Sequence, residues 1–119
     1  MTTENATIQI YTDGSAGGRI AWLRPDTQQQ YIEAIPGLTN NEAEYRAILS
    51  ALDSLPVGAH VEVLSDSTVC VMQLLHKYRV LEPRLADLKL QILALVAKKE
   101  LTFSPKWISR RDNLAGKLL

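Results

Sequence analysis

Three carboxylates stand at positions where a purely structural acid is uncommon: Asp13, Glu44 and Asp66. Asp13 follows the alternating run Ala6–Tyr11, which reads as a β-strand, and Gly14, Gly17 and Gly18 come soon after it. Glycines there let the chain turn back tightly and let a bulky ligand approach the backbone. Asp-Gly after a strand is also the ordinary signature of a hairpin turn. Glu44 falls on the same helical face as Ala47, Ile48 and Ala51. A carboxylate on the core side of a helix is costly unless a cation receives it, the alternative being an acid at the edge of the stripe that reaches solvent. Asp66 ends the strand His60–Asp66 and precedes Ser67 and a helical run from Thr68 to about Lys77. Its plain role is to cap that helix; its functional role is that of a residue where a strand end meets a ligand. If the two strands lie side by side with the Glu44 helix packed on them, the three acids converge. Converging anions repel and are stable only around hard cations such as Mg²⁺ or Mn²⁺. Two such ions about 4 Å apart can activate a water and steady the leaving oxygen of a phosphodiester.

The elements that must position these acids follow from hydrophobic periodicity. Arg19–Leu23 and Gln30–Ile35 read as two more strands with Pro25-Asp26-Thr27 turning between them, so an antiparallel meander comes first. Pro36-Gly37 breaks the sheet. Thr39 or Asn40 caps a helix running to about Ser54, with Glu42 in the first turn, where the helix dipole favours it. Ala43, Ala47, Ile48, Ala51, Leu52 and Leu55 form its apolar stripe. A right-handed crossover then adds the His60 strand parallel to the first. Pro83 starts a longer amphipathic helix to about Lys98 that buries Leu85, Leu88, Ile92, Leu95 and Val96. Leu101–Ile108 is the last strand, and Pro105 predicts an edge or a bulge there. A basic loop from Ser109 enters a short closing helix. The order β-β-β-α-β-α-α-β-α describes an α/β fold: a five-stranded mixed sheet, three strands antiparallel and then two parallel, flanked by helices. Residues 1–119 are expected to form one domain.

Composition narrows the function classes. No apolar run approaches the ~18–20 residues of a membrane span, and the polar start MTTENAT is not a signal peptide. Cys70 is the only cysteine, which fits a reducing cytoplasm and a small buried side chain better than a reactive thiol. No cysteine or histidine spacing suggests zinc, and neither a P-loop nor a serine–histidine pairing is present; His60 and His76 read as surface or strand-edge residues. Net charge is zero, yet unevenly spread. Residues 1–66 carry 3 basic and 9 acidic side chains, and residues 67–119 carry 10 basic and 4 acidic. An acidic half holding a metal site beside a basic half suits a polyanion groove, while a solvated surface of uneven charge is the plain reading.

At this point YTDGSAGG, TNNEAEYRAILSAL, VEVLSDS and the closing W-x-x-R-x-x-N…A pattern resemble, in that order, a type 1 ribonuclease H. The resemblance covers nearly the whole chain. It implies the ribonuclease H fold and metal-dependent hydrolysis of the RNA strand of RNA–DNA hybrids, leaving a 5′ phosphate and a 3′ hydroxyl. Asp13, Glu44 and Asp66 match the family's first three metal-binding acids, with two Mg²⁺ or Mn²⁺ ions expected alongside substrate. Thr39, Asn40 and Asn41 match its segment for backbone phosphate and the minor groove, where 2′-hydroxyls distinguish RNA. Gly14 and Ser15 join them as expected substrate contacts.

Three departures qualify that resemblance. The fourth family acid is absent. Spacing from Trp107 puts Lys117 there, whereas matching the following L-A-x-x-x-L helix puts Asn113 there. Asn113 is preferred, because an amide oxygen can ligate a hard metal and a lysine cannot. The loop before the last helix lacks a histidine, and Arg110 and Arg111 stand ready to hold phosphate instead. Lys77–Glu82 leaves no room for a basic helical protrusion, and no accessory hybrid-binding domain is expected. The expectation is a small monomeric nuclease acting on RNA–DNA hybrid, without membrane or obligate protein partner. The alternative is a catalytically weak or inactive hybrid- or duplex-binding module on the same fold.

Overall fold

The computed structural model describes residues 6–119, so the first five residues of the polar start lie outside the described residues. Five strands form one sheet: β1 (Thr7–Gly14), β2 (Arg19–Arg24), β3 (Gln29–Ala34), β4 (His60–Ser65) and β5 (Thr102–Trp107). They lie in the order β3-β2-β1-β4-β5, with β1–β2 and β2–β3 antiparallel and β1–β4 and β4–β5 parallel. The mixed sheet expected from the sequence is therefore present. Pro105 does sit on an edge strand, where its missing N–H costs no ladder bond.

Helix α1 (Asn40–Asp53) packs on the sheet against β1 and β2, and α3 (Pro83–Lys98) packs against α1. The short α2 (Thr68–Leu74) follows β4 directly. Between sheet and helices Ile10, Val61 and Val63 meet Ile48, Leu52, Leu88 and Ile92, all at least nine-tenths buried. Removing this apolar surface from water, at ~25 cal/mol per Å², is the main force holding the helices to the sheet. α1 begins with a full capping box: the Thr39 hydroxyl accepts the Glu42 N–H, and the Glu42 carboxylate accepts the Thr39 N–H. Its other end is held by Lys99, whose ammonium donates to the carbonyls of Leu52, Asp53 and Leu55 at 3.3, 2.5 and 2.6 Å. No helix among the described residues is long and apolar enough to cross a membrane.

Several boundaries differ from the sequence reading. Asp13 lies inside β1 rather than beyond it, because the β1–β2 ladder continues through Asp13↔Ala21 and Gly14↔Ile20. β4 stops at Ser65, and Ser67, not Asp66, caps α2 by accepting the Cys70 N–H at 3.2 Å. α2 ends at Leu74 instead of near Lys77. His76 adopts a left-handed φ of 63°, and the Lys77 and Tyr78 N–H groups fold back onto the Met72 carbonyl. The closing helix is a 3-10 segment, Leu114–Leu118, preceded by a 3-10 turn at Arg110–Asp112.

Candidate metal centre and groove

β1 carries Asp13 out from the middle of the sheet, α1 carries Glu44 over it, and the link from β4 to α2 carries Asp66. The three carboxylates each offer an oxygen, and these oxygens all lie within 4.8 Å of one another. Glu44 is buried at 4% exposure, which a lone carboxylate tolerates poorly. Its Oε1 accepts the Gly14 N–H at 3.0 Å. That bond requires α1 and β1 to be nearly in contact. A Cβ on Gly14 would lie 2.3 Å from the Ala43 carbonyl carbon, so no other residue fits there. The glycine read as a turn signal is thus a packing requirement.

Burial and mutual repulsion raise the proton affinity of the cluster. Glu44 is pushed up to about 8, first by desolvation and then by the charges of Asp13 and Asp66. Asp13 is pushed up to about 6 by desolvation and by Asp66. Arg110 works weakly against both shifts, which puts its positive charge near the cluster. Crowded oxygen donors of which one, Glu44, holds its proton at neutral pH are a donor set from which a hard dication can displace a proton. The residues present fit such an ion.

Asn113 is 1% exposed and stands against the acids. Its geometry is not that of the expected metal ligand. Oδ1 accepts the Ala115 N–H at 3.1 Å, capping the closing 3-10 segment, and Nδ2 donates to the Thr12 carbonyl at 2.9 Å and to Asp66 Oδ2 at 3.0 Å. Backbone groups at both ends fix the amide's orientation, so the side chain turns its donor, not its oxygen, toward Asp66. Gly116 abuts Asp13, since a Cβ there would lie 3.2 Å from Asp13 Oδ2. Lys117 is exposed and lines the same groove.

That groove measures about 470 Å³ and runs past Asp13, Gly14, Ser15, Asn40, Arg110, Arg111, Asn113 and Lys117. The segment expected to hold substrate is divided between two surfaces. Asn40 faces the acids, while Thr39 and Asn41 line a neighbouring depression of about 570 Å³ with Glu82 and Arg84. Arg84, 4.0 Å from the Glu42 carboxylate, is a groove cation that periodicity assigned only to a helix start. Trp107, which in the sequence serves only to anchor the closing motif, also reaches the acids: its Nε1 donates to the Asp66 carbonyl at 3.2 Å. A tryptophan close after the last strand's proline was the available signal.

Comparison with known proteins gives a consistent result. The RNase H family profile matches residues 5–110. The bifunctional protein Rv2228c of Mycobacterium tuberculosis is 33% identical over 105 residues, 84% of this chain and 29% of that protein. The chain thus spans under a third of the length of the curated relatives it matches. The solved N-terminal RNase H domain of the same mycobacterial protein superposes with a TM-score of 0.78 at 27% identity, covering 94% of this chain and 89% of that one. LC11-RNase H1, solved in complex with RNA/DNA hybrid, gives a TM-score of 0.83 at 30% identity, covering 93% and 92%.

Proposed function

The chain belongs to the RNase H family, and from that premise we propose that it is a divalent-metal-dependent endonuclease cutting the RNA strand of RNA–DNA hybrids. The observation that carries this reading is the meeting of Asp13, Glu44 and Asp66, from three separate elements, within 4.8 Å. A neighbour of the same fold was solved with RNA/DNA hybrid bound, which supports the choice of substrate. In this reading Asp13, Glu44 and Asp66 hold one or two Mg²⁺ or Mn²⁺ ions. An ion held by these three carboxylates would supply Lewis acidity for activating a water and for neutralising charge on the leaving 3′ oxygen, chemistry that would give a 5′ phosphate and a 3′ hydroxyl.

The chain's own residues do the rest. The Gly14 N–H holds the Glu44 carboxylate in one orientation. Asn113 acts as a positioning residue, its Nδ2 steadying Asp66. Arg110 and Arg111 contact backbone phosphate from the groove, with charge-assisted bonds that Ser15 supplements. Asn40, Asn41 and Thr39 meet the minor groove, where an Asn amide can both donate to and accept from a 2′-hydroxyl. We further take residues 1–119 to act as one monomeric domain in the cytoplasm.

A labelled hybrid incubated with Mg²⁺ or Mn²⁺ tests the reading. Cleavage confined to the RNA strand is expected, lost in Asp66→Asn. Neutralising Arg110 and Arg111 together should raise KM and flatten the salt dependence of binding, by about one unit of slope per lost phosphate contact. The second reading, a binding module without catalysis, is favoured by one observation: the position beside Asp66 offers an amide donor where a fourth oxygen ligand would serve a second metal. Hybrid binding in EDTA without cleavage in either metal would select it.

A further inference from the structure

Tryptophan is a residue that folding hides, and the chain's other one, Trp22, is 4% exposed. Trp107 is 48% exposed at the end of β5, paired in register with Ser65 and so one residue from Asp66. Its polar edge is already used, since Nε1 donates to the Asp66 main-chain oxygen at 3.2 Å. The indole is therefore tethered beside the acid cluster while much of its apolar surface stays in water. Lys106 and Arg110, both exposed, lie one residue before it and three after it. Lys106, the neighbouring strand position, turns to the opposite face of the sheet, whereas Arg110 lines the groove beside Asp13. An exposed aromatic face close to a cation-lined groove is a surface on which a nucleobase can stack.

We propose that Trp107 is a stacking platform for a base or sugar of the nucleic-acid strand at the rim of the acid cluster. The inference rests on the nuclease reading for the identity of the polymer, and on the exposure and tether of Trp107 for the contact itself. The groove cations Arg110 and Arg111, three and four residues on, favour a polyanion over an apolar protein surface at this position. The platform contributes chiefly to binding, because stacking holds the strand without touching the reacting phosphate.

The test uses the Trp22→Phe protein, in which Trp107 is the one remaining tryptophan, titrated with RNA–DNA hybrid in EDTA so that nothing is cut. Stacking should quench the emission of Trp107 and shield it from acrylamide. In parallel, Trp107→Ala and Trp107→Phe are assayed for hybrid cleavage with Mn²⁺. Loss of the ring should raise KM roughly 5- to 150-fold with kcat nearly unchanged, the range expected for one base–aromatic stack, and Phe should restore most of it. If the role is only the hydrogen bond to Asp66, Phe fails as badly as Ala and kcat falls in both; that result overturns the platform. Cleavage with unchanged KM in Trp107→Ala and unchanged emission also overturns it, leaving the nuclease reading intact and the surface open to a protein partner. Quenching by hybrid in a chain that cuts nothing keeps the platform and removes the nuclease. No response of emission to any hybrid concentration, with no cleavage, removes both.

Discussion

Replacing Glu44 by Gln should make the metal-free protein more stable at neutral pH while abolishing its activity. The side chain keeps its shape, and a Gln Oε1 still accepts the Gly14 N–H. What disappears is the cost of an ionisable group held among other acids away from water. Glu44 goes from an ordinary 4.5 in the unfolded chain to about 8 in the folded one. The folded state therefore binds the proton more tightly, and stability falls as pH climbs from 4.5 toward 8, then levels. Below 4.5 both states are protonated and the cost is absent. At pH 7 the linkage relation gives up to about 3 kcal/mol, a gain for Gln of on the order of 10 °C in Tm for a domain of this size. Urea unfolding in EDTA at pH 4 and pH 7 reads it directly, with a gap expected at pH 7 and little or none at pH 4. Saturating Mn²⁺ should close the gap by stabilising wild type, which keeps all three oxygen donors. A Gln variant no more stable than wild type at pH 7, or equally more stable at both pH values, would refute the repulsion argument.

Gly14→Ala should cost several kcal/mol or prevent folding, on the order of a badly overpacked core site, because the new methyl overlaps the α1 backbone; circular dichroism during a thermal ramp measures it. Lys99→Met removes the donor shared by three carbonyls at and just beyond the end of α1 and should lower urea stability by about 1–3 kcal/mol while leaving hybrid cleavage per folded molecule unchanged. Asn113→Asp sets a carboxylate against the Thr12 carbonyl and Asp66 Oδ2, both acceptors. It should destabilise the metal-free protein above pH 5 and recover with Mn²⁺, whereas Asn113→Ala should be destabilised with or without metal; differential scanning fluorimetry across both conditions separates them.

Much of this arrangement was legible because each element carries its own period and its own stops. α3 begins and ends where Pro83 and the basic end at Lys98 put it. The three acids could be picked out because each broke a local rule: a charge on an apolar helix face, or an acid where a strand gives out. The errors have one physical origin, which is that tertiary hydrogen bonds decided what local chemistry left open. Asp66 and Ser67 are both good caps, and only the folded chain shows Ser67 capping while Asp66 is left for the acid cluster. Asn113 is a plausible metal ligand in isolation; the Thr12 carbonyl and the Ala115 N–H, 101 and 2 residues away, turn its oxygen aside. Thr39, Asn40 and Asn41 are adjacent in sequence yet point to two surfaces, since successive positions at a helix start are about 100° apart.

The central strand β1 takes one neighbour from nearby in the chain and the other from far away: β2 follows within a few residues, whereas Thr7 pairs with His60. During synthesis the β1–β3 meander can close as soon as Ala34 has emerged. The second edge of β1 then stays bare until β4 is made, roughly one to several seconds later at ribosomal speed. Throughout that interval Ile8 and Ile10 flank an unpaired row of backbone donors and acceptors that a second nascent chain can occupy. Asp13 waits equally long for Asp66. Completion of the acid cluster therefore coincides with the closing of the vulnerable edge, and a chain that mispairs β1 fails to bring Asp13 and Asp66 together.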